Sequence, residues 1–214
     1  MPLLAFSDEV AADHTALAPI WVAITAMPTG NNLLKNGLLG ISYFVPRFDW
    51  LDTSRWQASA TPTVQPPHRA PAEFLWQADC LECFFAGADA SGYVEINISP
   101  DAHAARFNAY RFTDYRTPNT LPPPTTTQFV VGCIPAGSTL TPAVADYYTR
   151  HVVICLADGT TNVADFKLTH IQPCAILYRH SPQHTTKDED AVFFAPQHTS
   201  PPDFHHRAVW QAWA

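Results

Sequence analysis

The chain alternates between short apolar runs and short polar breaks that carry proline or glycine. The most regular run is Tyr93-Val94-Glu95-Ile96-Asn97-Ile98-Ser99, in which apolar and polar residues alternate strictly. A period of two puts Val94, Ile96 and Ile98 on one side of a strand and Tyr93, Glu95 and Asn97 on the other. The apolar side belongs against a second sheet. The other side gathers a phenol, a carboxylate and an amide, an inventory that suits a ligand-facing concavity as well as an ordinary amphipathic strand.

Further strands are predicted at 20–24, at 38–45 before Pro46, and within the apolar block 75–85. Others follow at 106–112, 128–134, 151–156, 163–171, 175–178 and 191–195, and the stretch 205–213 closes the chain. Turn signals separate them, among them Lys35-Asn36-Gly37, the stretch 87–92 and Asp158-Gly159. Residues 58–72 and 117–127 are proline-rich and read as long loops, and 181–190 as a polar loop. The best helix candidate is 141–149, with Thr141 as N-cap and Pro142 at the first helical position. Many short strands divided by loop residues predict one all-β domain over 1–214. The expected form is a two-sheet antiparallel β-sandwich of jelly-roll type with at most one or two short helices.

Composition narrows the function. The chain has 12 Lys and Arg against 19 Asp and Glu, a net charge of −7, which speaks against a general nucleic-acid binder. No apolar run approaches the ~20 residues needed to span a bilayer, and the first nine residues lack a basic signal-peptide region. The expectation is a cytoplasmic, soluble chain with no membrane partner. The five cysteines, Cys80, Cys83, Cys133, Cys155 and Cys174, form an odd, scattered set that reads as buried thiols rather than a disulfide framework.

Three series of residues occur in order: Leu75-Trp76-Gln77 with Cys80 and Glu82; Gly92-Tyr93 with Glu95, Asn97 and Ser99-Pro100; and Tyr110-Arg111-Phe112 with Tyr115-Arg116. His198 and Pro202-Asp203-Phe204-His205-His206 follow near the end. The combination, over roughly 35–214, resembles the bacterial DOMON-like proteins, which are related to family-nine carbohydrate-binding modules. The resemblance implies a jelly-roll β-sandwich with a ligand site on a concave face. Relatives in the wider superfamily bind sugars or haem, so the fold transfers more securely than the function. Two departures are a longer stretch between Pro100 and Tyr110 and the proline-rich insert at 117–127.

Sugar binding needs a flat aromatic platform and polar groups that take hydroxyls in pairs. Trp76, Tyr93, Glu95, Asn97, Arg111, Tyr115 and Arg116 supply that inventory. Two of them have a structural alternative: Trp76 can pack in the core, and Arg111 can pair with Glu82 or Glu95 across strands. A secondary polar cluster comprises Glu82, His198, Asp203 and His205. If 203–205 is extended, Asp203 and His205 face one way and can join His198 at a zinc or iron site. Equally, Asp203 can cap a turn and His205 can bond a backbone carbonyl. Haem ligation through Met is disfavoured because only Met1 and Met27 exist, and paired His ligation stays open. No cofactor is expected. Cys80 and Cys83 lie three apart on a predicted strand, so their thiols point to opposite faces. A Glu82/Glu95 pair has the chemistry for glycoside hydrolysis, but sequence does not give the carboxyl separation that this requires. The leading expectation is non-catalytic binding of a small polar ligand, a carbohydrate first. The alternatives are a metal or haem site at the histidines, or an interaction domain marked by an exposed patch at Trp210 and Trp213.

Overall fold

The computed structural model describes residues 1–6, 17–26, 38–56, 68–69, 75–87, 92–100, 106–112, 132–134, 146–155, 168–179 and 191–213. The strands, in chain order, are β1 (Pro2–Ala5), β2 (Ile20–Ala26), β3 (Leu38–Pro46), β4 (His68–Arg69), β5 (Cys80–Gly87) and β6 (Tyr93–Ile98). They continue with β7 (Arg106–Phe112), β8 (Gly132–Ile134), β9 (Tyr147–Cys155), β10 (Leu168–Tyr178), β11 (Ala191–Ala195) and β12 (Gln211–Ala212). One helical turn, α1 (Thr53–Trp56), and two 3-10 turns, Leu75–Gln77 and Arg207–Val209, complete the described elements.

These strands form a curled, antiparallel half-barrel sheet. The hydrogen-bonded order is β4-β7-β6-β5-β10-β11-β1-β2-β3-β9-β8, with β12 added beside β10 and only the β4–β7 pair parallel. β1 joins the two arms. Its first residues pair with β2 (Pro2 with Trp21, Leu3 with Ile20) and its last with β11 (Leu4 with Ala195, Ala5 with Phe194). The N-terminal ammonium donates to the Val22 carbonyl at 2.8 Å.

Curling buries the inner face of the sheet. Leu3, Ile20, Val22, Ile41, Tyr43 and Val152 from one arm pack with Leu81, Cys83, Phe85, Ile96, Ile98, Ile171 and Phe194 from the other. The Tyr43 hydroxyl crosses from β3 to donate to the Glu82 carbonyl on β5 at 2.6 Å, and burial pushes this phenol well above its ordinary pKa. Alternation holds as read: Val94, Ile96 and Ile98 are in this core, and Tyr93 is in a separate apolar cluster with Phe84.

The sequence reading needs four corrections. β9 begins at Tyr147, so the end of the expected helix 141–149 is strand. Tyr147 and Tyr148 pair with Pro46 and Val45, a tertiary pairing that suits aromatic residues and overrides the local helix signal. The remainder, 141–145, lies outside the described residues. β10 runs unbroken through Gln172-Pro173, where two strands were expected. There β10 keeps its pairing with β5, but its other side pairs with β12 at 170–171 and with β11 at 175–178. Pro173 therefore falls between two partners, where a missing N–H is tolerated. The stretch 205–213 is a 3-10 turn followed by two paired residues rather than a long strand. Finally, β1 was not foreseen, because four residues carry too little pattern to read.

Asp79 ties α1 to the end of β10. Its Oδ2 accepts from Trp56 Nε1 at 2.8 Å, and its Oδ1 accepts from the Tyr178 N–H at 2.8 Å. Arg150 lies over the Trp56 ring at 5.2 Å and donates to the Trp56 carbonyl at 2.6 Å. Asp79→Ala leaves a buried indole N–H and a backbone N–H without their acceptor. It is expected to lower unfolding free energy by about 3 kcal/mol, with Asp79→Asn costing less because one acceptor remains. Urea titration followed by tryptophan fluorescence measures both.

Candidate functional site

The outer face of β10, β5, β6 and β7 carries the polar side of the alternating strands. Strand register lays it out in two rows. One row runs Gln172, Phe84, Glu95, Tyr110, and the next runs Cys174, Glu82, Asn97, Asn108. An ordinary outer face would be wet, yet here Gln172 and Asn97 are 0% exposed, Asn108 1%, Glu82 3% and Glu95 5%. Such burial obliges each polar group to find a partner or lose its charge.

The C-terminal segment helps to cover this face. β12 pairs with His170 and Ile171, and the Trp213 N–H donates to the Thr169 carbonyl at 2.8 Å. Trp210 packs 5.7 Å from Phe84 and 5.3 Å from Tyr93, centroid to centroid, and its indole N–H donates to the Phe204 carbonyl at 2.8 Å. The expected exposed patch at Trp210 and Trp213 is therefore not found: Trp210 is buried and Trp213 is half-buried against the core. Among the described residues the exposed large apolar side chains are Leu4 on β1 and Trp21 on β2.

His205 wedges its ring between Phe84 and Phe112, at 5.0 and 5.1 Å, edge to face. Its Nδ1 lies 2.7 Å from the Tyr93 hydroxyl, and its Nε2 lies 3.7 Å from Glu95 Oε2, an ion pair when the imidazole is protonated. Asn97 Nδ2 donates to Glu95 Oε1 at 2.6 Å. Both Glu95 oxygens thus have protein neighbours. Glu82 differs. Burial first, and the neighbouring Glu95 charge second, push its carboxyl well above the usual range, so the neutral acid is favoured. The Cys174 thiol approaches Glu82 Oε2 at 3.8 Å. Burial raises the Tyr110 phenol as well, with Glu95 adding to the effect.

Three polar atoms in these rows have no hydrogen-bond partner: both ends of the Gln172 amide and Asn97 Oδ1. Trp76 sits at the border on the 3-10 turn, half-buried, with its ring 6.1 Å from Tyr110. Its carbonyl accepts from the Tyr178 hydroxyl at 2.8 Å.

The structure brings Tyr93, Glu95, Asn97, Glu82 and His205 together, with Trp76 beside them. Arg111 pairs in register with Val94, one step off the Glu95 and Asn97 positions. Tyr115 and Arg116 lie outside the described residues. His198, Asp203 and His205 do not converge. His198 Nε2 donates to the Leu4 carbonyl at 2.8 Å, and burial lowers the pKa of its ring. Asp203 Oδ1 accepts from the His205 N–H at 2.9 Å, closing an Asx turn. Among the described residues no three His, Cys, Asp or Glu side chains are grouped to hold a metal. Cys80 and Cys83 are free and buried on opposite sides of β5, Cys80 with Leu75 and Cys83 in the core.

Sequence reasoning missed Gln172, Asn108 and Tyr110. A signal existed for each. Gln172 is a lone amide in the apolar run Ile171–Ile176, and Asn108 and Tyr110 alternate with Ala109 along 106–112.

No known protein family, curated protein or solved structure matches this chain. Among the described residues no helix is long and apolar enough to cross a membrane.

The raised Glu82 carboxyl has a signed consequence. Its ordinary value is 4.5, and the folded value lies higher, so between the two the native state holds a proton that the unfolded chain has lost. The stabilisation from the neutral carboxyl is complete below the unfolded value and declines as pH rises towards the folded one. Asp79, also raised by burial, adds a slope of the same sign. Glu82→Gln is therefore expected to flatten, without abolishing, the fall in stability from acid to mildly alkaline pH. Urea midpoints taken across that range test it; an unchanged slope would mean that folding does not raise the Glu82 carboxyl.

Proposed function

We propose that the chain is a non-catalytic binding domain for a small polar ligand of the carbohydrate class, seated on the outer face of β10, β5, β6 and β7. The observation that carries this reading is the Gln172 amide, fully buried and without a partner at either end, with Asn97 Oδ1 in the same state across the face. An unsatisfied buried polar group costs about 1–3 kcal/mol. Two such side chains on one face, bordered by the rings of Trp76 and Tyr110, have the chemistry of a site that awaits hydroxyl groups. On this reading the curled sheet is the two-sheet jelly roll that the DOMON-like resemblance implies, and the ligand meets it on an outer face. Trp76 would contact the apolar side of a ring from the half-exposed border, and no cofactor is needed.

Gln172→Met separates structure from function. It replaces the idle amide by an apolar group of similar size, so unfolding free energy is expected to rise by about 1 kcal/mol. The wild-type chain at roughly 100 times the Kd of its sugar should gain about 2.7 kcal/mol, a melting-point rise of about 5–10 °C. In Gln172→Met that rise should disappear. A thermal-shift panel of monosaccharides and short oligosaccharides, with hemin, zinc and EDTA as contrasts, reads both effects. A response to hemin or a metal, with none to any sugar, would point to ligation instead.

A further inference from the structure

We infer that the C-terminal segment is a strap whose hold on the outer face is set by the charge of His205. An imidazolium clamps the strap down through Glu95, and a neutral ring holds it more loosely. The inference concerns the cover itself and stands whether or not the face takes a ligand.

The strap has little ladder of its own. β12 pairs two residues with β10, and the Trp213 N–H adds a bond to the Thr169 carbonyl. Before β12 the segment is fastened by side chains. His198 reaches the Leu4 carbonyl, Phe204 packs 5.9 Å from Phe193, and Trp210 packs on Phe84 and Tyr93. His205 is inserted among these contacts. A hold that rests on side chains changes when one of them changes charge.

The surroundings of His205 suit a cation. Phe84 at 5.0 Å, Phe112 at 5.1 Å and Tyr93 at 5.8 Å enclose its ring. Aromatic faces attract a cation within about 6 Å of their centres. Nε2 lies 3.7 Å from Glu95 Oε2, and Nδ1 lies 2.7 Å from the Tyr93 hydroxyl. Protonated, the ring donates from both nitrogens and sets a full charge against the carboxylate. Neutral, it has one N–H and no charge. Burial opposes the imidazolium, and the carboxylate and the ring faces oppose that cost. The His205 side chain is 19% exposed and that of Glu95 7%, so the proton has a route to solvent while the pair is only partly screened.

Other ionisable groups near His205 act differently. On β6, Tyr93 and Glu95 meet the ring itself. On β7, Tyr110 shares the Glu95 row, and Arg111 is in register with Val94. On β5 and β10, Glu82 and Cys174 lie in the next row. Within the strap, Asp203 takes the His205 backbone N–H, Arg207 lies over the Trp210 ring at 5.8 Å, and His206 is adjacent in sequence. Glu82 matters most among these. Burial favours its neutral form, so wetting it on opening adds a pH dependence of the same sign. A substitution at 205 separates the two.

The test is hydrogen–deuterium exchange on the full chain, followed by NMR at the Trp213 N–H and the Trp210 indole N–H. Each rate is referred to the intrinsic rate at the same pH, and β3 amides on the other arm give the reference. Protection of both strap groups should fall by about 5-fold between about pH 5.5 and about pH 8, the range in which an imidazole loses its charge. His205→Gln, and separately Glu95→Gln, should lower protection at acid pH and remove most of the fall. Tyr93→Phe keeps the charge pair, so it should lower protection throughout and keep the fall. If His205→Gln does not fold, Glu95→Gln carries the comparison. Equal protection of the wild-type strap at both ends of the range overturns the latch. So does a fall of wild-type size in His205→Gln or Glu95→Gln, which would assign the pH dependence to Glu82. The response to sugars in the thermal-shift panel bears on the binding reading alone.

Discussion

Burial of both faces of β5 and β6 is the constraint on which the rest of the molecule depends. Every residue of β6 from Tyr93 to Ile98 is buried, and so is β5 from Cys80 to Ala86. Alternation supplies an apolar face for the core, as it does in any sheet with one wet side. Here the second face is covered too, so a carboxylate at Glu82 or Glu95 cannot rely on water. The two acids resolve this differently. Glu95 is set between an amide and an imidazole, whereas burial first, and the Glu95 charge second, push the Glu82 carboxyl towards its neutral form. A paired acid and one pushed towards its neutral form thus stand side by side.

That covering is secured by the C-terminal segment, with Trp210 packed on Phe84 and Tyr93. β12 contributes two paired residues, Trp213 one backbone hydrogen bond and His205 a single ring inserted among three aromatic side chains. His198 fastens the start of the segment to the Leu4 carbonyl on β1. Because β1 is also the strand that joins the two arms, the cover is anchored to the corner of the sheet as well as to the face that it protects. Opening it would expose Phe84, Tyr93, Phe112 and Trp210 to water, a loss of several kcal/mol in buried aromatic area at ~25 cal/mol per Å².

Much of the fold was legible because most of its strands are either strictly alternating or wholly apolar. Tyr93–Ile98, Arg106–Phe112 and Ala191–Ala195 appear within a residue of where pattern places them. What stayed hidden was set by distant partners. Tyr147 to Thr149 become strand because β3 lies alongside, and Pro173 fits a strand because its outer neighbour changes from β12 to β11 around it. The site divides in the same way. Tyr93, Glu95 and Asn97 share a face by local geometry alone. Gln172 joins them only through the β10–β5 register, and His205 only through the turn that Asp203 closes, neither of which has a period to read. The metal triad failed for that reason: its premise was an extended 203–205, and the Asx turn aims the residues elsewhere.

Gln172 stands next to Pro173 at an irregular point of the sheet. Around residues 172–174, β10 has a ladder partner on β5 but falls between two short neighbours on its other side. A proline is tolerated in such a gap, where it would disrupt a fully paired central strand. An apolar residue at 172 would suit this covered outer face better than an amide with nothing to bond. A sequence that places Gln there, opposite Phe84 and diagonal to Glu82, gives up local stability on a face that also carries Glu95, Asn97 and Asn108. The unsatisfied amide has no partner in the surrounding sheet, a state it shares among the described residues with Asn97 Oδ1, Arg179 Nε and His198 Nδ1.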